Sequence, residues 1–361
     1  MKAAIMTFHR GGTPGAFLQA WFLWKCLEDL GADTRFLDPP WHQILVTRLL
    51  NIARSRRRGV AFMASDLRNI AGYFLSFHRD LPKWKVANNH FPADLDLLVI
   101  GSDEVWNIRN PYYGFMYPMM WAAEAKCRVI TYAPSMGGLT GSDALPAEAW
   151  RAITEYHRVS VRDRNTLETA TAKLGFAPAH VCDPTLLRHG GDPAYACTIR
   201  EPFILVYTTG EISRARIEDI RRHANTNKLR IVSTGPSQPW CDENLSHMHP
   251  LAAHTLFEHA VCVYAGTFHG MVLGRKFGKP LAVEFPESKV TKSRCFLEAY
   301  CDPRCRISQD NSVSSAWAPD VDPQYRQSDL AAWTAASRAY LEECVKAVTS
   351  ERISMYQNGR I

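Results

Sequence analysis

The sequence predicts an α/β protein made of two doubly wound, Rossmann-like domains followed by a C-terminal helix. Three stretches predict it. Residues 3–37 read as strand, glycine-rich turn, helix and strand. Residues 95–100, apolar but for Asp96, form a run of the kind that a parallel sheet covered on both faces requires. Residues 261–284, VCVYAGTFHGMVLGRKFGKPLAVE, repeat the strand–turn–helix–strand order far down the chain. Right-handed crossover builds each such βαβ unit into a parallel sheet. Ligands in these sheets gather beyond the carboxyl ends of the strands.

In order, residues 3–8 are a first strand and 9–15, HRGGTPG, a flexible turn. Gly11, Gly12 and Gly15 let the backbone approach a ligand closely, but the turn is not GxGxxG and says little about phosphate. Residues 17–30 carry Phe17, Leu18, Trp21, Trp24, Leu27 and Leu30 at helical spacing, and Gly31 ends the helix. Residues 34–37 are the next strand. Residues 41–81 read mostly as helix, either covering the sheet or lying on a membrane surface. Strands follow at 95–100, 129–133, 159–161 and 180–182, with helices at 148–156 and 166–174. A boundary is expected between 188 and 202, where Gly190, Gly191, Asp192 and Pro193 cluster. The first domain then spans 1–190, the second 200–327, and 328–361 is a terminal helix and tail. The second series runs strand 203–207, helix 212–224, strand 229–233 and the βαβ unit at 261–284. Residues 308–327 are a Pro-, Ser- and Asp-rich loop, and 328–348 an amphipathic helix. Two such domains facing one crevice make a GT-B-like architecture, in which both present strand ends and helix N-termini to the cleft.

The chain has 361 residues, long for one core, with 46% hydrophobic and 22% charged residues and a mild net charge of +6. Part of that excess is the cluster Arg54, Arg56, Arg57 and Arg58, a solvated helix end or a contact for an anionic surface. It lacks aromatic interleaving, so nucleic acid is not an expected partner. The ten cysteines include no CxxC pair and no zinc spacing. No metal site and no structural disulfide are expected. Neither a signal peptide nor a membrane span is recognised, and the expected location is cytoplasmic, with contact at the inner face of the membrane left open.

His269 is the first candidate for chemistry. It falls at the carboxyl end of the strand at 261–264, and Thr267 is placed to cap the helix that follows. An imidazole there can hold or pass a proton beside a helix N-terminus that favours an anion. The plainer reading is a solvated or hydrogen-bonded loop histidine.

Six stretches, taken in order, resemble the polysaccharide pyruvyl transferase family. They are Thr7-Phe8-His9-Arg10 with Gly15-Ala16-Phe17-Leu18-Gln19; Gly101-Ser102-Asp103-Glu104-Val105-Trp106-Asn107; Tyr132-Ala133-Pro134-Ser135-Met136-Gly137; Ser160-Val161-Arg162-Asp163; Asp183-Pro184-Thr185; and Phe268-His269-Gly270 with Gly278-Lys279-Pro280. Each alone is weak; the resemblance spans residues 3–284. This chain has Glu104 where the family usually has Gln, Thr267 where one branch has Arg and another Ser, and Thr13-Pro14 where Asn-Tyr often stands.

The resemblance implies a GT-B-like fold and transfer of pyruvate from phosphoenolpyruvate onto two sugar hydroxyls as a cyclic ketal, without a metal or other cofactor. It implies catalytic roles for His269 and Asp103 and a donor site at Arg162, Thr267 and Gly270; with Thr267 in place of that Arg, the phosphate is expected to rely on Arg162, Thr267 and backbone N–H groups, or instead on a basic residue such as Arg275 or Lys279. The expected acceptor contacts are Gly11, Gly12, Gly15 and Trp106. Plainer readings make Asp103 a turn cap, Trp106 a core ring and Arg162 the surface partner of Asp163. The expected partners are phosphoenolpyruvate and a saccharide acceptor, with lipid linkage and oligomeric state left open. The alternatives are a GT-B glycosyltransferase, with Glu284 or Glu287 holding the ribose of a nucleotide-sugar, and a non-catalytic glycan-binding relative.

Overall fold

A computed structural model of the chain describes residues 1–9, 13–38, 81–85, 91–110, 121, 124–139, 141, 145–246, 248–285, 287–308 and 311–357. The helix expected over 41–81, the arginine cluster, and Gly11 and Gly12 lie outside the described residues, apart from Leu81.

Two parallel five-stranded sheets form the frame. The first runs β3-β2-β1-β4-β5, with β1 at Lys2–Met6, β2 at Asp33–Asp38, β3 at Lys83–Lys85, β4 at Leu97–Ile100 and β5 at Arg128–Thr131. The pair β6 (Ser160–Val161) and β7 (Ala179–His180) continues it beyond β5. The joint is made by the His157 N–H donating to Val129 O and by Thr131 and Ser160, which exchange side-chain and backbone hydrogen bonds. The second sheet runs β10-β9-β8-β11-β12, with β8 at Phe203–Tyr207, β9 at Arg230–Ser233, β10 at Glu243–Asn244, β11 at Cys262–Ala265 and β12 at Leu281–Val283. In both sheets the strand order reverses beside the first strand, so each has a switch point at its carboxyl end.

Numbered among the described residues, the helices are α1 (Pro14–Asp29), α2 (Ala147–Thr154), α3 (Arg164–Leu174), α4 (Arg214–Asn227), α5 (Pro250–His259), α6 (Phe268–Lys276), α7 (Glu287–Tyr300), the single turn α8 (Val313–Ala316) and α9 (Gln327–Gln357). α1 begins earlier than its apolar spacing suggests. Thr13 caps it by accepting the Ala16 N–H, and Pro14 fits a position that needs no N–H. Phe17, Leu18 and Phe22 are fully buried, because α1 is covered by its own sheet and by α5 of the second lobe. Each such side chain contributes about 1.5–3 kcal/mol. The sequence pattern does not reveal α5: PLAAHTLFEH is buried nearly all round, so it lacks the one-sided stripe that marks a surface helix.

α9 lies across the first lobe. Tyr340 Oη donates to Thr131 O (3.0 Å), Trp333 Nε1–H to His180 O (2.9 Å), and Ser337 Oγ accepts the Cys182 N–H (2.8 Å). Arg158–Glu343 and Arg128–Glu351 ion pairs, each 2.9 Å, flank these bonds. No described helix is long and apolar enough to cross a membrane.

Ser337 is buried, so Ser337→Ala strands the Cys182 N–H in the core. The expected cost is about 1–3 kcal/mol, read as a lower midpoint in urea unfolding, with little change for the exposed control Lys346→Ala.

Candidate active site

The site grows from the carboxyl ends of the strands. β6 runs directly into Arg162, whose N–H donates to Pro134 O (3.2 Å). The chain leaving β7 reaches Asp183, which opens a 3₁₀ turn (Pro184–Leu186). Arg162 is only 4% exposed and donates through Nη1 to Asp183 Oδ2 at 2.8 Å. Its Nη2 is 3.7 Å from Asp103 Oδ1. Asp183 Oδ1 accepts from the N–H (3.1 Å) and Oγ1 (2.7 Å) of Thr185.

The second lobe meets this pair with two consecutive residues of α6. Phe268 lies under Arg162, with Cζ 4.5 Å from the ring centroid, a cation–π contact. His269 Nε2 lies 3.5 Å from Asp183 Oδ2, an ion-pair rather than hydrogen-bond separation. Thr267 caps α6 by accepting the Gly270 N–H at 3.0 Å. The cap starts the helix earlier than expected, so His269 stands in its first turn and not in a loop.

Burial alone would push Asp183 up. The adjacent His269 and Arg162 outweigh it and hold the carboxyl well below the usual carboxylate range. Burial also works against the charge on Arg162, but Asp183, Asp103 and Asp163 outweigh it and keep the guanidinium protonated.

Asp103 follows β4 in a left-handed backbone conformation, φ 74°, which a non-glycine residue adopts at a cost. Its carbonyl accepts the Ser135 N–H at 2.9 Å. Below it, Gln19 Nε2 donates to Thr7 Oγ1 (3.1 Å), Thr7 Oγ1 to Ser102 O (2.8 Å), and Ser102 Oγ to Gln19 Oε1. This buried triangle ties β1, α1 and the Gly101-Ser102-Asp103 turn together, and it holds Asp103 toward Arg162.

Gly15 sits at the start of α1 against the imidazole. A Cβ there would lie 2.4 Å from His269 Nδ1 and 2.5 Å from Cγ, so only glycine fits. Its N–H donates to Tyr207 Oη at 3.2 Å. Tyr207, buried at the end of β8 and pushed up to about 12 by burial, was not singled out by sequence. Its only sequence signal is an aromatic residue ending a strand.

The structure therefore brings Arg162, Asp103, His269 and Gly15 together around Asp183. Several expectations change. Trp106 is 0% exposed and packs edge-on to Trp150 (centroids 6.4 Å apart), so it offers no face to a sugar and is a core ring. The Gly270 N–H is taken by the helix cap, and the glycine is where α6 touches the Tyr207 ring; it supports the site and has no amide left for a donor. Arg275 is buried and donates to Tyr300 O, Tyr325 O and Gln327 Oε1, which ties the segment before α9 in place and removes it as a phosphate contact. Asp163 is not the partner of Arg162: its Oδ1 caps α3 through Thr166. The side chain of Glu287 lies outside the described residues.

Two parallel-sheet lobes with their strand ends and a shared charged cluster between them define a GT-B-like α/β fold. A putative UDP-N-acetylglucosamine 2-epimerase from Listeria monocytogenes superposes with a TM-score of 0.50 over 95% of this chain and 90% of its own, at 9% identity. An Arabidopsis thaliana UGT89C1 complex with UDP-L-rhamnose (TM-score 0.49, 13% identity, 96% of this chain and 98% of its own) and the Streptomyces nogalater glycosyltransferase SnogD (0.46, 12%, 97% and 99%) are also similar. At these identities the likeness concerns fold alone. Within that class the chain belongs to the polysaccharide pyruvyl transferase family, whose model matches residues 14–283, three quarters of its length. None of the curated proteins matches it.

Asp183→Asn leaves the buried Arg162 without its main counter-charge and should cost about 3–5 kcal/mol at neutral pH. The folded-state carboxyl of Asp183 titrates below its unfolded value. Its contribution is therefore full above pH about 4 and is lost as pH falls through the folded value. Unfolding curves from pH 7 to 3 should show the variant starting lower and losing less on acidification than the parent.

Proposed function

We propose that the protein transfers pyruvate from phosphoenolpyruvate to two hydroxyls of one sugar in a polysaccharide or glycan precursor, forming a cyclic ketal and releasing phosphate. The family supports a pyruvyl transfer and a saccharide acceptor. The observation that carries the finer reading is the convergence of a first-lobe guanidinium and a second-lobe imidazole on one buried carboxylate.

Phosphoenolpyruvate is a small ester with a carboxylate and a phosphate. Arg162 supplies fixed positive charge, and the first turns of α1 and α6 supply amide-rich positive ends. In α6 the cap takes the Gly270 N–H and Met271 N–H reaches Thr267 O, which leaves the Phe268 and His269 amides for an anion. His269, oriented by Asp183, delivers a proton to the methylene carbon. The carbon bearing the phosphate becomes oxocarbenium-like, and a sugar hydroxyl attacks it. Asp103 takes the proton of that hydroxyl. Phosphate leaves with its bridging oxygen, the second hydroxyl closes on the same carbon, and its proton is released. The net change is donor plus diol to ketal plus phosphate.

Glu284, the candidate ribose acid of the glycosyltransferase alternative, already accepts from Arg216 Nε (3.0 Å) and Tyr264 Oη (2.6 Å). That favours the smaller donor.

Incubation with phosphoenolpyruvate and candidate saccharides should give a pyruvate adduct by mass spectrometry with equimolar phosphate. Thermal stabilisation by UDP-sugars and none by phosphoenolpyruvate would sink the reading. His269→Ala should abolish turnover; if it keeps full activity, the non-catalytic alternative gains. Gly15→Ala should displace the imidazole and lower the rate by about a hundredfold, the scale of an ångström misplacement.

A further inference from the structure

Gly15 holds the second position of α1, where a helix offers no acceptor for the N–H. Thr13 serves the neighbours instead. Its Oγ1 takes the Ala16 N–H (3.4 Å) and its carbonyl the Phe17 N–H (3.3 Å). The Gly15 N–H crosses to the other lobe and donates to Tyr207 Oη at 3.2 Å, 192 positions along the chain.

The ring that carries this oxygen is wedged. A Cβ on Gly235 would lie 2.7 Å from its Cε2, and one on Gly270 would lie 2.8 Å from its Cδ1, so backbone bears on two opposite ring atoms. Phe257 packs edge-on, with centroids 5.7 Å apart. Burial, and to a lesser extent the charge on Asp103, push the phenol up to about 12. At neutral pH the group is therefore an uncharged oxygen fixed in place, not a carrier of protons.

This ring spans the two backbones between which the imidazole is held. Its edge bears on α6 at Gly270, the residue after His269, and its oxygen holds α1 at Gly15. Gly15 in turn lies so close to the imidazole that a Cβ would come 2.4 Å from Nδ1. The other imidazole nitrogen, Nε2, stands 3.5 Å from Asp183 Oδ2. If α1 drew back from Tyr207, the space at Nδ1 would open and the imidazole could turn away from Asp183. We propose that Tyr207 is a positioning residue: by holding the Gly15 N–H it sets the gap between α1 and α6 and keeps His269 turned toward Asp183. The role deepens the pyruvyl transfer reading and rests on it for the effect on rate, but not for the placement of the imidazole.

Two readouts separate placement from turnover. Proton–nitrogen correlation spectra of protein with isotope-labelled histidine, in which the His269 signals are assigned by their loss in His269→Ala, report placement without substrate. The kcat with phosphoenolpyruvate and a saccharide acceptor reports the use made of it. Tyr207→Phe keeps the ring and removes the bond to Gly15. It should displace the His269 ring signals beyond their line width and lower kcat about tenfold, with the apparent Kd for phosphoenolpyruvate, read by thermal shift, within about threefold of the parent. Tyr264→Phe removes an equally buried hydroxyl from the neighbouring strand, where it donates to Glu284, and should leave the signals and kcat unchanged. Gly235→Ala pushes on the Tyr207 ring with its hydroxyl intact and should move the same signals, which keeps the test open if Tyr207→Phe does not fold. The proposal is overturned if the His269 signals stay in place in these Tyr207 and Gly235 variants. A kcat loss that Tyr264→Phe matches also overturns it, because that would mark general destabilisation. Displaced signals in a protein whose parent transfers no pyruvate would overturn the reaction and leave the placement standing. Transfer by the parent with kcat unchanged in Tyr207→Phe would overturn the positioning role and leave the reaction.

Discussion

A guanidinium and a carboxylate removed from water need each other, and the pair Arg162–Asp183 is the constraint on which the rest of the structure turns. Taking either charge out of solvent is costly, and mutual attraction offsets that cost only with good geometry and full hydrogen bonding. Both conditions are met by short local devices. The end of β6 delivers Arg162, the 3₁₀ turn after β7 delivers Asp183, and Thr185 occupies the second carboxylate oxygen. The second lobe completes the arrangement through Phe268 and His269. A buried ion pair is weak support for stability as such, but here it fixes where the two lobes meet.

That junction is tight on one side and open on the other. On the tight side, Gly15 lies against His269, its N–H bonds Tyr207, and Gly235 passes the Tyr207 ring where a Cβ would come within 2.7 Å. No side chain at residue 15 could share that space with the imidazole. On the open side, the lobes diverge around aromatic rings from α7 and α9 and leave the space beside Arg162.

The last helix belongs to this logic. α9 follows the second lobe in sequence yet packs on the first, where Tyr340 bonds β5 and Ser337 and Trp333 bond the chain around β7. It braces the strand ends that carry Arg162 and Asp183. A helix that crosses back in this way holds the lobes in a narrow range of relative positions, which a site built from both of them requires.

The sequence by itself determined the α/β class, most of the strands and the short motifs that hold the charged residues, because apolar runs, glycine breaks and capping residues act over a few positions. Thr267 as a cap and Gly15 as a close-approach residue were readable in that way. The tertiary structure decided what each motif faces. It turned Trp106 into core, gave Arg162 to Asp183 instead of its neighbour Asp163, and brought Tyr207 and Gln19 into the site. It also decided α5, whose all-round burial erases the periodicity by which a helix is recognised. The physical reason is range. Backbone preference is set by adjacent residues, whereas the partner of a buried charge, 21 positions away for Arg162 and 86 for His269 on Asp183, exists only once both sheets have closed on each other.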